Sequence, residues 1–271
     1  MRTIPWRLFG TLIGGLISLA LAGADPASAN EQVDLELVLA VDVSGSMDPD
    51  EQALQRTGYV EAIRHPDVLA AIRSGLHGRI AVTYLEWAGP GNHRVVIPWR
   101  TLTDTASAEA FAAQLSDAPR GTLRGTSISS GLTIAASLFE GNGYEGMRRV
   151  IDVSGDGPNN MGEPILPVRD MVVRLGIVIN GLPITLKPGN RGYGSIENLD
   201  SYYENCVIGG PGAFIVAVND RAQLVEAIRR KLVLEIADLS GGFEHVQASP
   251  VPDSDYDCEV GEKQRRMWLD P

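Results

Sequence analysis

Apolar residues follow two rhythms along this chain: short unbroken runs of strand length, and stretches in which they return every three to four positions. Residues 33–41 (VDLELVLAV) form such a run. Its last four members, Val38, Leu39, Ala40 and Val41, are all apolar, as in a parallel strand covered on both faces. A helix start follows, with Asp48 as N-cap, Pro49 at the first helical position and Glu51 placed to close a capping box, and this helix is predicted to end near Arg64, before Pro66. Residues 79–87 alternate as a strand, residues 89–92 (GPGN) turn, and residues 93–97 return as a second strand, which together make an antiparallel edge hairpin. Helical periodicity occupies residues 107–115, 127–139, 163–175 and 221–237, and a short helix is predicted within 195–206. Strands are expected at 150–154, 176–180 and 213–218. Strands that alternate with helices predict an α/β fold: a doubly wound, mostly parallel central sheet with one antiparallel edge strand and helices on both faces.

The two ends of the chain read differently from this body. Residues 1–29 carry Arg2 and Arg7, an apolar stretch from 8 to 21, and Ala27-Ser28-Ala29, the small residues that suit signal peptidase; cleavage is expected after Ala29. The apolar stretch falls short of the roughly 20 residues of a stable membrane-spanning helix. A globular domain is expected over 30–242. Residues 243–271, with Pro250, Pro252 and several acidic residues, read as an extended, solvated tail. Trp87 and Trp99 read as packing residues, and His65, His77, His93 and His245 as scattered surface or satisfied histidines.

Charge narrows the partners. The whole chain carries −11 at neutral pH, and loss of residues 1–29 would leave 33 acidic against 21 basic residues, or −12. No basic stripe offsets this, so nucleic acid and anionic membrane surfaces are excluded as expected partners. The two cysteines, Cys206 and Cys258, lie in the portion expected to be exported to the periplasm or beyond, where a disulfide is the expected state, pinning the tail to the body; two free thiols are the alternative.

Three polar segments sit where ligands bind in open α/β sheets, at the carboxyl ends of predicted strands. They are Asp42-Val43-Ser44-Gly45-Ser46, Gly125-Thr126-Ser127 at a helix start, and Ser154-Gly155-Asp156-Gly157 after the 150–153 run. Alternate side chains Asp42, Ser44 and Ser46 can converge on one point. Hard oxygens with few carboxylates suit a divalent cation that keeps water, Mg²⁺ first, with Mn²⁺ or Ca²⁺ as competitors. Asp48, Asp50 and Glu51 lie close by, but helix capping accounts for them; Asp152 is a second-sphere candidate or an ordinary strand residue.

Taken together, the segments resemble the metal-ion-dependent adhesion site of von Willebrand factor A domains, in which Asp-x-Ser-x-Ser, a separated Thr and a separated Asp occur in this order. The resemblance covers about residues 33–239, and the fuller pattern, with 150–160 (VIDVSGDGPNN) and the late cysteines, is similar to a family of exported bacterial proteins. It implies that Ser44, Ser46 and Thr126 offer hydroxyls to the metal and that Asp42 and Asp156 bind it directly or through water. One departure is Gly155, where the family more often carries a hydroxyl residue. The loop 182–203, with Arg191, Tyr193, Tyr202 and Tyr203, leaves a carboxyl strand end and is a candidate partner surface; packing of the tyrosines on the body is the alternative.

The function expected from this pattern is a metal-dependent protein-binding module of the cell envelope, capturing an Asp or Glu of a partner, with no catalytic residues. A metal-dependent phosphatase is the rival, since Asp42 follows a strand, but Ser44 stands where such enzymes usually place a second carboxylate. A serine hydrolase lacks its Gly-x-Ser-x-Gly. A structural envelope protein with no ligand is the third reading.

Overall fold

A computed structural model describes residues 30–186, 196–237 and 256–269. The expected signal segment, as well as Arg191, Tyr193 and His245, lies outside them. Five strands form one sheet: β1 (Glu31–Asp42), β2 (Ile80–Trp87), β3 (His93–Leu102), β4 (Tyr144–Gly155) and β5 (Ile177–Pro183), in the order β3-β2-β1-β4-β5. All neighbours run parallel except β2 and β3, which form the antiparallel edge. The doubly wound architecture is therefore as expected.

The central strand is sealed on both sides, because its alternate residues serve two cores. Leu35, Leu37, Leu39 and Val41 of β1 face one cluster with Tyr59, Ile63, Phe111 and Ile228, whereas Val38 and Ala40 face another with Leu132, Ile165, Val172 and Tyr202. Helices α1 (Pro49–Arg64), α2 (Pro66–Ser74), α3 (Thr105–Asp117) and α7 (Leu224–Ile236) supply the first layer. Helices α4 (Ile128–Ser137), α5 (Ile165–Arg174) and α6 (Leu199–Tyr202), the last continued by a π-helical turn at Tyr203–Val207, supply the second. No helix among the described residues is long and apolar enough to cross a membrane.

Local signals fix α1 as expected: the Asp48 carboxylate accepts from the Glu51 amide at 2.8 Å and the Glu51 side chain accepts from the Asp48 amide at 3.0 Å. Pro66 does more than end that helix. It opens α2, with His65 Nδ1 accepting from the Asp67 amide at 3.2 Å, so a residue read as a helix stop is also a helix start.

Two expectations are corrected. Residues 213–218 run alongside β5 but form only isolated bridges, Gly181 to Ile215 and Ile184 to Val218. The hydrogen bonds alternate properly, with Gly181 N donating to Phe214 O, Val216 N to Gly181 O, Val218 N to Pro183 O and Thr185 N to Val218 O. The bond missing from that series is the one Pro183 would donate, and proline has no N–H. The tail, in turn, is not extended throughout: residues 260–269 form helix α8 (Val260–Leu269), begun by the Asp257 carboxylate, which accepts from the Glu259 amide at 3.2 Å and from Lys263 Nζ at 2.6 Å. A disulfide between Cys206 and Cys258 ties the segment that begins this helix to the π-helical turn, as expected from the cysteine pair.

Candidate metal centre

Asp42, the last residue of β1, is fully buried at the carboxyl edge of the sheet. One carboxylate oxygen accepts from the Ser44 amide at 2.7 Å; the other, Oδ2, is buried without a hydrogen-bond partner. Burial pushes its pKa well up, and the neighbouring carboxylate of Asp156 pushes the same way, while the amide and hydroxyl of Ser44 and the amide of Asp156 oppose them. The groups that act most strongly on Asp42 include no cation. An orphaned buried oxygen next to a second carboxylate is costly as it stands.

The hydroxyls form a chain beside it. Ser44 Oγ lies 2.9 Å from Ser46 Oγ, and Ser46 Oγ donates to Asp156 Oδ1 at 2.6 Å. Two segments 110 residues apart thus meet through one hydroxyl. Thr126 is buried and lines the same cleft as Ser46, with Asn160 N donating to its carbonyl at 3.1 Å. Positive φ at Gly125 makes the turn that delivers Thr126, and a side chain there would collide with Met161 Sδ at 2.5 Å. The structure therefore brings Asp42, Ser44, Ser46 and Asp156 into one cluster, with Thr126 on the wall of the cleft that opens from it. Among the described residues, no group of three or more His, Cys, Asp and Glu is placed to hold a metal. The donor set here is different in kind: two carboxylates and three hydroxyls, which suits a hard divalent cation.

Gly155, the departure from the adhesion-site pattern, has a physical cause. A Cβ at this position would stand 2.9 Å from Asp42 Oδ2 and 2.9 Å from the Tyr203 hydroxyl. Tyr203 occupies the space that a side chain at 155 would use, and its buried phenol is held protonated, first by burial and then by the Asp42 carboxylate. This corrects the expectation of Tyr203 as partner surface. Tyr202 is corrected with it: both rings are fully buried, and the Tyr202 hydroxyl accepts from the Asn159 amide at 3.1 Å beneath the Asp156 loop. Nothing in the sequence pattern places Tyr203 beside Asp42, because that approach depends on the packing of the π-helical turn against β5.

Other candidates resolve in structural terms. Asp152 meets Lys231 at 2.6 Å, with Glu235 on the same ammonium, in a buried cluster beneath α7. Trp87 is buried, and Trp99 packs on Phe139 and donates to Leu138 O at 2.8 Å.

A family model described as "Protein of unknown function (DUF1194)" matches residues 32–240. The chain belongs to the DUF1194 family. No curated protein matches it. Among solved structures, this DUF1194 protein is similar to proximal thread matrix protein 1 from the mussel byssus, with 15% identity and a TM-score of 0.54 over 77% of this chain and 49% of that one. The pilus adhesin SpaC from Lactobacillus rhamnosus GG matches with 15% identity and a TM-score of 0.51, over 78% of this chain and 31% of the other. A von Willebrand factor type A protein from Catenulispora acidiphila matches with 16% identity and a TM-score of 0.50, over 76% and 43%. The chain thus spans half or less of the length of each. A further structure of the mussel protein, with a zinc-occupied MIDAS motif, matches with 12% identity and a TM-score of 0.52, over 77% and 47%. At these identities the likeness establishes a von Willebrand factor A-like fold.

Proposed function

We propose that this DUF1194 protein is an exported binding module that holds one divalent cation, Mg²⁺ in the first instance, between Asp42, Ser44, Ser46, Thr126 and Asp156, and uses it to capture a carboxylate of a partner protein. The observation that carries this reading is the orphaned, buried Asp42 Oδ2 of a carboxylate that neighbours Asp156 and the Ser44–Ser46 hydroxyl chain leading to it. A zinc-occupied MIDAS motif on the similar fold of the mussel protein supports it, as does the adhesin SpaC for the class of partner. Export rests on the N-terminal segment and on the Cys206–Cys258 disulfide.

When bound, the cation supplies a positive charge that hydroxyl ligands leave only partly neutralised, so that a partner carboxylate can replace one of its waters. The chain does the rest. Asp42 is held in place by the Ser44 amide, Ser46 links the first segment to the Asp156 loop, and Gly125 turns Thr126 toward the cleft. None of these steps moves a proton, and the proposed role is binding without turnover.

The test is capture of partners from the native envelope in Mg²⁺ and again in EDTA, with wild type and Asp42→Ala. Partners lost in both chelator and variant support the reading; partners retained in EDTA overturn it. Asp42-dependent turnover of a simple phosphate ester would replace it with the enzymatic reading.

A further inference from the structure

The cleft beside the candidate metal centre has a volume of about 710 Å³ and is lined by Ser46, Asn92, Thr126 and Asn160, among others. Its charged lining residues are two arginines, Arg124 and Arg265, in a chain whose net charge is −11. Neither guanidinium takes part in an ion pair or a side-chain hydrogen bond among the described residues, although carboxylates outnumber basic groups across the molecule.

Both arginines are carried on anchored backbone. The Arg124 carbonyl accepts from the Gly89 amide at 3.0 Å and from Asn92 Nδ2 at 3.1 Å, and any side chain at 89 would strike that carbonyl at 2.4 Å. Arg265 comes from α8. That helix is seated on the Asp156 loop, because Gly261 lies so close to Asn159 O that a Cβ would be 2.2 Å from it. Glu262 accepts from Asn159 Nδ2 at 2.7 Å, and the Cys206–Cys258 bond fixes the start of the segment. The tail thus delivers a cation to the rim of a site built by residues more than a hundred positions earlier.

We infer that Arg124 and Arg265 form a second, anion-binding subsite next to the metal centre, so that the partner is an acidic peptide segment with one carboxylate for the cation and at least one more for the arginines. The inference rests on the proposed metal-site reading for the first carboxylate. Two planar guanidinium groups with free donors suit carboxylates in a bidentate manner. The cleft is of a size to take a few residues of peptide and not a membrane or a duplex, and the net negative charge of the whole molecule repels extended polyanion surfaces. A short segment with clustered acidic residues meets only the local positive field.

The test uses the full oxidised protein and two capped, glycine-rich peptides, one with a single Asp and one with that Asp and two further Glu residues, titrated by amide chemical-shift changes in Mg²⁺ and in EDTA. The triacidic peptide is expected to bind at least about tenfold more tightly in Mg²⁺, the scale of a charge-assisted contact. In the Arg124→Ala/Arg265→Ala variant the ratio should fall to about one, and in Arg265→Glu below one, as an attraction becomes a repulsion. Equal affinities in wild type, with single-Asp binding lost in EDTA, would overturn the second subsite and leave the metal reading intact. An unchanged ratio in the double variant would likewise remove the arginines from the account. Triacidic binding that survives EDTA but needs the arginines would keep the subsite and overturn the metal reading. Binding of neither peptide overturns both.

Discussion

Beneath α7, Asp152 and Glu235 are buried against Lys231, whereas at the carboxyl edge of the sheet Asp42 is buried against Asp156 with hydroxyls and backbone amides around it. The first pair of acids has its cation inside the molecule. The second has none among the groups that act most strongly on Asp42, and Ser46, which joins the two segments, lines the neighbouring cleft. Burying a carboxylate without a counter-charge is expensive anywhere in a protein. The core solves this with its own lysine, and on the proposed reading the rim takes its counter-charge from a bound cation. That difference sets the internally neutralised cluster apart from the proposed binding site.

The comparison breaks most sharply at Lys231. Lys231→Met should destabilise the fold by about 4 kcal/mol, because it leaves the buried acids without their cation; urea unfolding measures it, and a loss below about 1 kcal/mol would mean that Lys231 is not what compensates them.

Proton linkage sharpens it next. Burial and the nearby Asp152 carboxylate push Glu235 up to about 7. The folded protein therefore keeps a proton that the unfolded chain releases above about pH 4.5, and stability should fall as pH rises from there to about 7 and then level off, by ~3 kcal/mol from this group alone. Glu235→Gln should flatten that part of the profile; a variant curve parallel to wild type would refute the assignment.

At the rim, the expected effect comes from a ligand. Mg²⁺ at a hundred times its dissociation constant should stabilise wild type by about 2.7 kcal/mol and leave Asp42→Asn unmoved. Thermal unfolding with and without EDTA reads both, and an equal shift in the variant would place the ion elsewhere.

The smallest effect concerns Gly155. Gly155→Ser installs the hydroxyl residue more usual at this position but drives its Cβ onto Asp42 and the Tyr203 phenol, with an expected loss of about 2 kcal/mol. Adding Tyr203→Phe should recover part of that loss. If the double variant is no better than the single one, Tyr203 is not what excludes a side chain at 155.

Much of the architecture was legible in the sequence because it rests on short-range signals. The capping box at Asp48 and Glu51, the apolar run ending at Val41, and the turn at 89–92 each act within a few residues, and each stands as expected. Errors came where a local signal has two meanings. Pro66 ends one helix and begins another, Pro183 removes one bond from an otherwise regular edge, and the polar tail hides a helix that its disulfide and its contacts with Asn159 hold in place.

For the site, the order of Asp42, Ser44, Ser46, Thr126 and Asp156 along the chain was enough to nominate five oxygen donors, since side chains at the carboxyl ends of adjacent parallel strands must lie near one another. Order could not say which oxygen would be left without a partner, why position 155 must be glycine, or that Tyr202 and Tyr203 face inward. Nor could it place Arg265 beside Thr126. Those facts depend on contacts between residues from 40 to more than 130 positions apart, and only the packed chain decides which distant groups share a dry space and which share a cleft.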